Sequence, residues 1–328
     1  MEHPEIKYGK TGVLLINLGT PDSTSWWDIR KYLKEFLSDK RVIEVNPILW
    51  QIILNVFILT FRPSKTARAY KKIWMKEKNT SPLRHYTISQ TEKVNKEIGN
   101  ENLIIDYAMR YGNPSIKNKI ADLQGKGCEK IIILPLYPQY AAPTTATVCD
   151  EVYRTLMKLR WQPNLQIIPH YESEPLYIDA IVNSLNKKMS QIDWKPEVIV
   201  ASYHGVPKKY FEKGDPYHCY CHKTSRLISE KFDKVPIITT FQSRFGPEQW
   251  LQPYTDKTLE SLPKEGKKNI LIICPGFASD CVETLEEISI EGKESFIEAG
   301  GKNFSMVPCL NDSSDHIELL KYLIKKSL

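Results

Sequence analysis

The sequence predicts an α/β fold made of two duplicated halves, each with a four-stranded parallel sheet flanked by helices. Three observations carry this reading. Short apolar, β-branched runs alternate with longer charged segments of helical character, the pattern of strands joined by crossover helices. Nearly all the runs are apolar at successive positions, as strands covered on both faces require. The punctuation after the runs also repeats in the same order in the two halves of the 328-residue chain, a length that itself suggests two domains.

In the first half the runs are residues 13–18, 103–107, 130–134 and 165–168; in the second they are 198–202, 236–240, 269–273 and 304–307. The first run leads into Gly19-Thr20-Pro21, and its counterpart, ending Ser202-Tyr203-His204, leads into Gly205-Val206-Pro207. Arg110-Tyr111-Gly112-Asn113-Pro114 is echoed by Arg244-Phe245-Gly246-Pro247, and the third runs end at Pro135 and Pro275. Three ordered matches at strand ends argue for duplication better than composition does. The expected domains are 1–164 and 165–311, with 312–328 a C-terminal helix packing back on the first domain.

The spacing differs in one place. Gly19 to Arg110 is 91 residues, whereas Gly205 to Arg244 is 39, so the first half carries an insertion at about 33–80. Within it, residues 48–61 hold eleven apolar side chains interrupted by Gln51, Asn55 and Thr60. Asn46-Pro47 supplies an N-cap and a first-turn proline, which predicts a helix. Arg62, Lys65, Arg68, Lys71, Lys72, Lys76 and Lys78 follow, with Glu77 the single acid among them. One use for this segment is a core helix followed by a solvated basic one. The other is a greasy lip with a cationic collar, resting on an anionic membrane surface or gripping an amphiphilic acid. Its place in an insertion favours the second use, because the other half manages its core without it.

Composition excludes several classes. Hydrophobic residues at 41% and charged residues at 26% are ordinary globular values and rule out a disordered chain. A formal charge of +6 is too small to imply a nucleic-acid binder. The fourteen-residue apolar stretch is shorter than the ~20 residues a membrane span needs. Met1-Glu2-His3-Pro4-Glu5 lacks a charged-then-apolar pattern, so no secretory leader is expected. Seven scattered cysteines read as free thiols in a reducing, cytoplasmic compartment.

In open parallel sheets ligands bind outside the carboxyl ends of the strands, and the unusual residues collect there. No glycine-rich phosphate loop follows any run, which argues against a nucleotide enzyme. His204 ends a strand before a Gly-Val-Pro turn, where a neutral imidazole can accept a proton or bind a borderline metal. Asp280, Glu283 and Glu287 fall on one face of a predicted helix. They would attract a dication, although Asp280 and Glu283 also have the spacing of a capping box.

Taken together, Leu136-Tyr137-Pro138-Gln139-Tyr140, Ser202-Tyr203-His204-Gly205-Val206-Pro207, Phe241-Gln242-Ser243-Arg244-Phe245-Gly246-Pro247 and Ser279-Asp280-Cys281-Val282-Glu283-Thr284-Leu285 resemble the signature segments of ferrochelatase. With Trp250-Leu251-Gln252-Pro253-Tyr254-Thr255-Asp256 added, the resemblance runs in order from about residue 11 to about 310. It implies two similar Rossmann-like domains facing across a cleft. It also implies a lyase that inserts ferrous iron, as substrate, into protoporphyrin IX at the end of haem synthesis. A flat porphyrin hides its nitrogen lone pairs, so the ring must be saddled by binding energy from its periphery before metal enters and a base removes two protons. By the resemblance His204 is that proton acceptor, Glu283 assists it or delivers metal, and Glu287 continues an acidic iron path on a helix with π-type widening. Arg62, Tyr70 and Ser81 match propionate-holding positions, with Arg62 suited to a bidentate grip. Leu18, Arg110, Tyr111 and Trp250 match positions around the macrocycle, and residues 48–61 match the apolar lip that meets the bilayer in membrane-associated members.

The chain also departs from the family pattern. Leu18 stands where many animal-type members have methionine, and Cys281 stands where they have histidine. Ala142 occupies the first ligand position of the animal-type two-iron cluster, and no three-cysteine tail follows, so that cluster is not expected. His218-Cys219-Tyr220-Cys221-His222 places four potential metal ligands in five residues, but no second pair completes a tetrahedral set. The leading expectation is therefore protoporphyrin metallation by a cytoplasmic enzyme that associates reversibly with the membrane's inner face and uses no nucleic acid. The same chemistry on coproporphyrin III, and a two-lobed haem or metal carrier without chemistry, are the alternatives.

Overall fold

A computed structural model describes residues 8–328 of the chain; the leader reading at residues 1–5 lies outside them. All eight apolar runs form strands: β1 (Lys10–Thr20), β2 (Leu103–Gly112), β3 (Cys128–Pro135), β4 (Asn164–Ile167), β5 (Val198–His204), β6 (Ile237–Gln242), β7 (Asn269–Ile273) and β8 (Asn303–Met306). They make two parallel sheets of identical order, β2-β1-β3-β4 and β6-β5-β7-β8. The matched order is the structural form of the repeated punctuation, and it establishes the α/β class with two four-stranded parallel sheets flanked by helices.

The chain divides into two compact units. Of the described residues, the first comprises 8–136, 142–170 and 317–328; the second comprises 137–141 and 171–316. In the first unit Val13, Leu14, Leu15 and Ile16 of β1, and Ile131, Ile132, Ile133 and Leu134 of β3, have no exposed surface. That is what helices on both faces demand of a central strand. The C-terminal helix Ser314–Lys325 ends in this unit, where Lys321 pairs with Glu97 and Lys130 binds the carbonyl of Ser327 at 2.8 Å. In the second unit Ile199, Val200, Ala201, Leu271 and Ile272 take the equivalent buried places.

The insertion lies between β1 and β2. Helices Trp26–Leu37, Pro47–Ile53, Leu59–Ile73 and Pro82–Ile98 stand there, with a π-helical turn over Leu54–Ile58, whereas only Lys208–Glu212 and Tyr217–Lys231 separate β5 from β6. Asn46 caps the insertion helix by accepting from the amides of Ile48 and Leu49 at 3.0 and 3.3 Å. Pro47–Ile73 then runs continuously for 27 residues, and by length and composition it is apolar and long enough to cross a bilayer. This differs from the expectation drawn from the fourteen-residue stretch alone, because the helix continues through Pro63 into the basic segment.

At the far end of β1 the chain turns at Gly19. Its φ of +114° favours glycine, and an added Cβ would come within 1.8 Å of the Tyr111 carbonyl oxygen.

Among the described residues His316 is the one imidazole with almost no exposure, at 1%, and its Nδ1 meets the Asn311 carbonyl at 2.5 Å. Burial holds its pKa down to about 4, against the help of that carbonyl and of Asp312. Because the folded value is depressed, its contribution to stability is complete above the ordinary histidine range and is lost as pH falls through about 4. A loss of roughly 3 kcal/mol is expected across that window in urea titrations. A His316→Gln chain is expected to show a flatter pH dependence there; an unchanged slope would place the acid sensitivity elsewhere.

Candidate active site

The second unit carries His204, Glu283 and Glu287. His204 is the last residue of β5, half-buried, with Nδ1 2.6 Å from the Gly205 carbonyl oxygen. A carbonyl can only accept, so Nδ1 carries the proton and Nε2 keeps its lone pair as an acceptor. Gly205 makes the turn close. A Cβ there would fall 2.8 Å from the Gln242 carbonyl oxygen and 3.2 Å from the Trp250 ring, so Trp250 packs directly beside the histidine's neighbour. Trp250 itself is half-exposed, and its indole N–H donates to the Phe245 carbonyl at 2.9 Å. The Phe277 ring lies 6.5 Å from His204.

Glu283 opens a ten-residue π-helix, Glu283–Gly292. Its i→i+5 bonding widens the turn and brings residues four and five apart to one side, so Glu283 and Glu287 share a face. Glu287 is held in place. Ser243, at a φ of +66°, donates its amide to one carboxylate oxygen at 2.8 Å and its hydroxyl to the other at 2.5 Å. Gln242 donates to the Glu283 carbonyl at 2.8 Å and is itself oriented by Ser202 at 2.7 Å. Burial raises the Glu287 pKa; the Ser243 hydroxyl and the nearby His204 charge oppose the rise, and Glu283 adds to it. His204, Glu283 and Glu287 are therefore electrostatic neighbours.

Asp280 does not join them. It is buried, and its carboxylate accepts from Asn311 Nδ2 at 2.6 Å, Thr284 Oγ1 at 3.0 Å and the Cys309 amide at 3.3 Å. Asp280 thus bonds the Thr284 hydroxyl instead of forming a capping box with Glu283, and it positions the loop before the π-helix. Cys281 is buried, and burial together with the Glu283 carboxylate hydrogen-bonded to it pushes its thiol well up, away from the thiolate form a soft ligand needs. Among the described residues no three His, Cys, Asp or Glu side chains are grouped to hold a metal ion.

Ser243→Ala is expected to leave burial acting on Glu287 with less opposition, so the carboxyl protonates at higher pH than in the natural chain. Infrared titration of the carboxyl band reads this directly. No shift would mean that the amide of Ser243 alone sets the ionisation.

The first unit carries the other sequence-predicted residues. Leu18 is half-exposed at the end of β1, beside Asn17, whose side chain accepts from the Leu18 amide at 2.9 Å and donates to Thr87 at 3.0 Å. Arg62 is half-exposed on the helix Leu59–Ile73. Tyr70 and Ser81 are buried, the first against Trp74 and the second as N-cap of the helix Pro82–Ile98, accepting from the Arg84 amide at 3.2 Å. Arg110 and Tyr111, expected beside the macrocycle, are both buried in the first unit. Tyr111 has no exposed surface and gives its hydroxyl to Asp39 at 2.9 Å. Arg110 is ion-paired with the same carboxylate and donates to the Thr147 carbonyl at 2.9 Å. What remains open of Arg110 borders a cavity of about 780 Å³ lined by Glu35, Asp39, Arg41, Asp150 and Arg154, a charged surface unsuited to a flat apolar ring. Burial would raise the Asp39 pKa, but Thr147, the Arg41 amide, Arg110 and Tyr111 outweigh it and hold the carboxyl low. Sequence reading missed Asp39, which lies 71 residues from its partner.

Fold and site define a two-unit α/β protein with an imidazole beside two carboxylates at the carboxyl end of a parallel sheet. Residues 10–328 match the ferrochelatase family. The chain is 54% identical to the ferrochelatase of Allorhizobium ampelinum over 100% of this chain and 96% of that one. It is 50% identical to that of Francisella tularensis subsp. novicida over 100% and 99%. Among solved structures it resembles SirB from Bacillus subtilis with Fe3+, at a TM-score of 0.60 and 12% identity over 97% and 95% of the two chains, a likeness of fold. The chain belongs to the ferrochelatase family: it is a lyase that inserts iron into a porphyrin.

Proposed function

We propose that the porphyrin is protoporphyrin IX, the metal ferrous iron, and His204 the pyrrole proton acceptor. One observation carries the mechanism: the Gly205 carbonyl fixes the proton on Nδ1 and leaves Nε2 as a base beside Glu287. In this reading iron passes along Glu287 and Glu283 as water is stripped from it. His204 takes a proton as a saddled pyrrole exposes its lone pair, and the carboxylates carry protons away. Arg62 grips a propionate, with Tyr70 and Ser81 supporting its helix and the following one. Leu18 and Trp250 offer apolar surface to the ring. No iron–sulfur cluster is proposed, because Ala142 stands at the first ligand position.

The choice of porphyrin rests on the insertion helix. Ile48, Leu49, Ile52, Val56, Phe57 and Phe61 are exposed, Phe61 at 73%, whereas Leu54, Leu59, Ala67 and Tyr70 are buried. A helix anchored along one face and bare along the other lies in an interface more readily than it crosses one. The basic residues beyond Arg62 would add about 1 kcal/mol each near anionic headgroups. An apolar lip of this kind suits a nearly insoluble two-propionate substrate better than the four propionates of coproporphyrin III. In this reading the protein works in the cytoplasm, reversibly on the inner membrane face. Anaerobic turnover with both porphyrins tests this, with a higher kcat/KM expected for protoporphyrin; a preference for coproporphyrin III would overturn it. Ile52→Glu with Phe57→Glu is expected to remove salt-sensitive binding to anionic vesicles and to raise KM for protoporphyrin at little cost in kcat. Unchanged vesicle binding by the folded double variant would defeat the lip reading.

A further inference from the structure

The metal-ligand cluster that metallation leaves unused resolves into two parts. On the helix Tyr217–Lys231, Cys221 is buried and Cys219 exposed, so the two thiols point apart. His218 and His222, four residues apart, instead lie together, with ring centres 4.4 Å apart at 53°. The His218 ring stacks on Phe241 at 5.8 Å and meets Phe211 at 5.2 Å, while His222 lies 6.1 Å from Phe241. His218 is half-buried and His222 exposed, and neither ring makes a hydrogen bond to another described residue. The pair is held by aromatic packing alone, with its nitrogens uncommitted.

We propose that His218 and His222 form a bidentate surface site for a borderline divalent transition-metal ion, separate from the reaction site. Two histidines at i and i+4 on one helix face are a recurrent zinc-binding spacing. Metal–nitrogen bonds of about 2.1 Å place two imidazole centres about 5 Å apart, within a small side-chain rotation of the observed separation. Burial holds both rings below the ordinary histidine value, which favours the neutral, ligating form near pH 7. With two protein ligands, water fills the remaining positions, unlike a closed structural site. The sheet separates this pair from His204. Phe241 is the register partner of Tyr203, whose hydroxyl meets Ser225 of the same helix at 3.0 Å. His204 and Gln242, one residue further along each strand, point to the opposite face.

Affinity should follow the order Co2+ < Ni2+ < Cu2+ that governs nitrogen sites. The test uses the full chain with Ni2+ in equilibrium dialysis and Cu2+ in electron paramagnetic resonance. His222→Gln, on an exposed position, is expected to weaken Ni2+ binding by about 10²-fold, the advantage of a second tethered ligand. It should also reduce the nitrogen coupling on Cu2+, and His218→Ala should do the same. Cys219→Ser and His204→Ala are expected to retain the binding. If His218→Ala fails to fold, His222→Gln decides alone. Ni2+ affinity unchanged in folded His222→Gln, or lost in Cys219→Ser or His204→Ala, would overturn the proposal.

Discussion

His204→Ala is expected to lower metallation turnover by about 10²-fold or more in a chain that folds and still binds porphyrin. The size follows from losing a positioned base, and the selectivity follows from where the imidazole sits. Among the described residues its only hydrogen bond reaches the neighbouring Gly205 carbonyl, so its removal breaks no long-range hydrogen bond there and costs about 1 kcal/mol of stability at most. The residues proposed to meet the macrocycle, Leu18, Arg62 and Trp250, are untouched. Turnover per folded chain and porphyrin affinity by fluorescence quenching check the two halves of this expectation separately.

The largest effect on stability is expected from Asp39→Asn. The Asp39 and Arg110 side chains are 10% and 7% exposed, and the carboxylate also accepts from Tyr111 and Thr147. Removing the negative charge strands a buried guanidinium, a change that typically costs about 3–5 kcal/mol. The shape of asparagine preserves packing, so the loss reports charge and hydrogen bonding. Adding Arg110→Met to Asp39→Asn is expected to recover much of the stability, since no unpaired charge then remains. Urea midpoints of the three variants measure this, and a wild-type midpoint in Asp39→Asn would mean the pair contributes no net stability.

These two residues mark what sequence can and cannot disclose. All eight strands were legible because each is covered on both faces and so is written as an uninterrupted apolar run. The duplicated punctuation announced the equal strand orders, and the insertion helix announced itself through Asn46, Pro47 and its apolar length. His204 was legible because a strand ending in His-Gly-Val-Pro must leave its ring at the sheet's edge. The widening at Glu283–Gly292 was different: helical spacing alone placed Asp280 with Glu283 and Glu287, and only the family resemblance supplied the π-geometry. Local spacing also misassigned Asp280, whose decisive partner, Asn311, lies 31 residues on. Arg110 and Tyr111 were placed around the macrocycle by the family resemblance; the carboxylate they bind comes from a distant loop that no local pattern connects to them. The four ligands of residues 218–222 separated for a simpler reason, because a helix turns Cys219 and Cys221 to different sides while it stacks His218 over His222.

The central claim is that His204 accepts a pyrrole proton and does not chiefly bind the substrate. Its most direct test is a single turnover, in which protoporphyrin already bound to His204→Ala is mixed anaerobically with ferrous iron and its absorption spectrum is followed. The bound porphyrin is expected to keep its free-base spectrum on the timescale in which the natural chain converts it completely. Conversion to the metalloporphyrin spectrum at the natural rate would contradict the assignment.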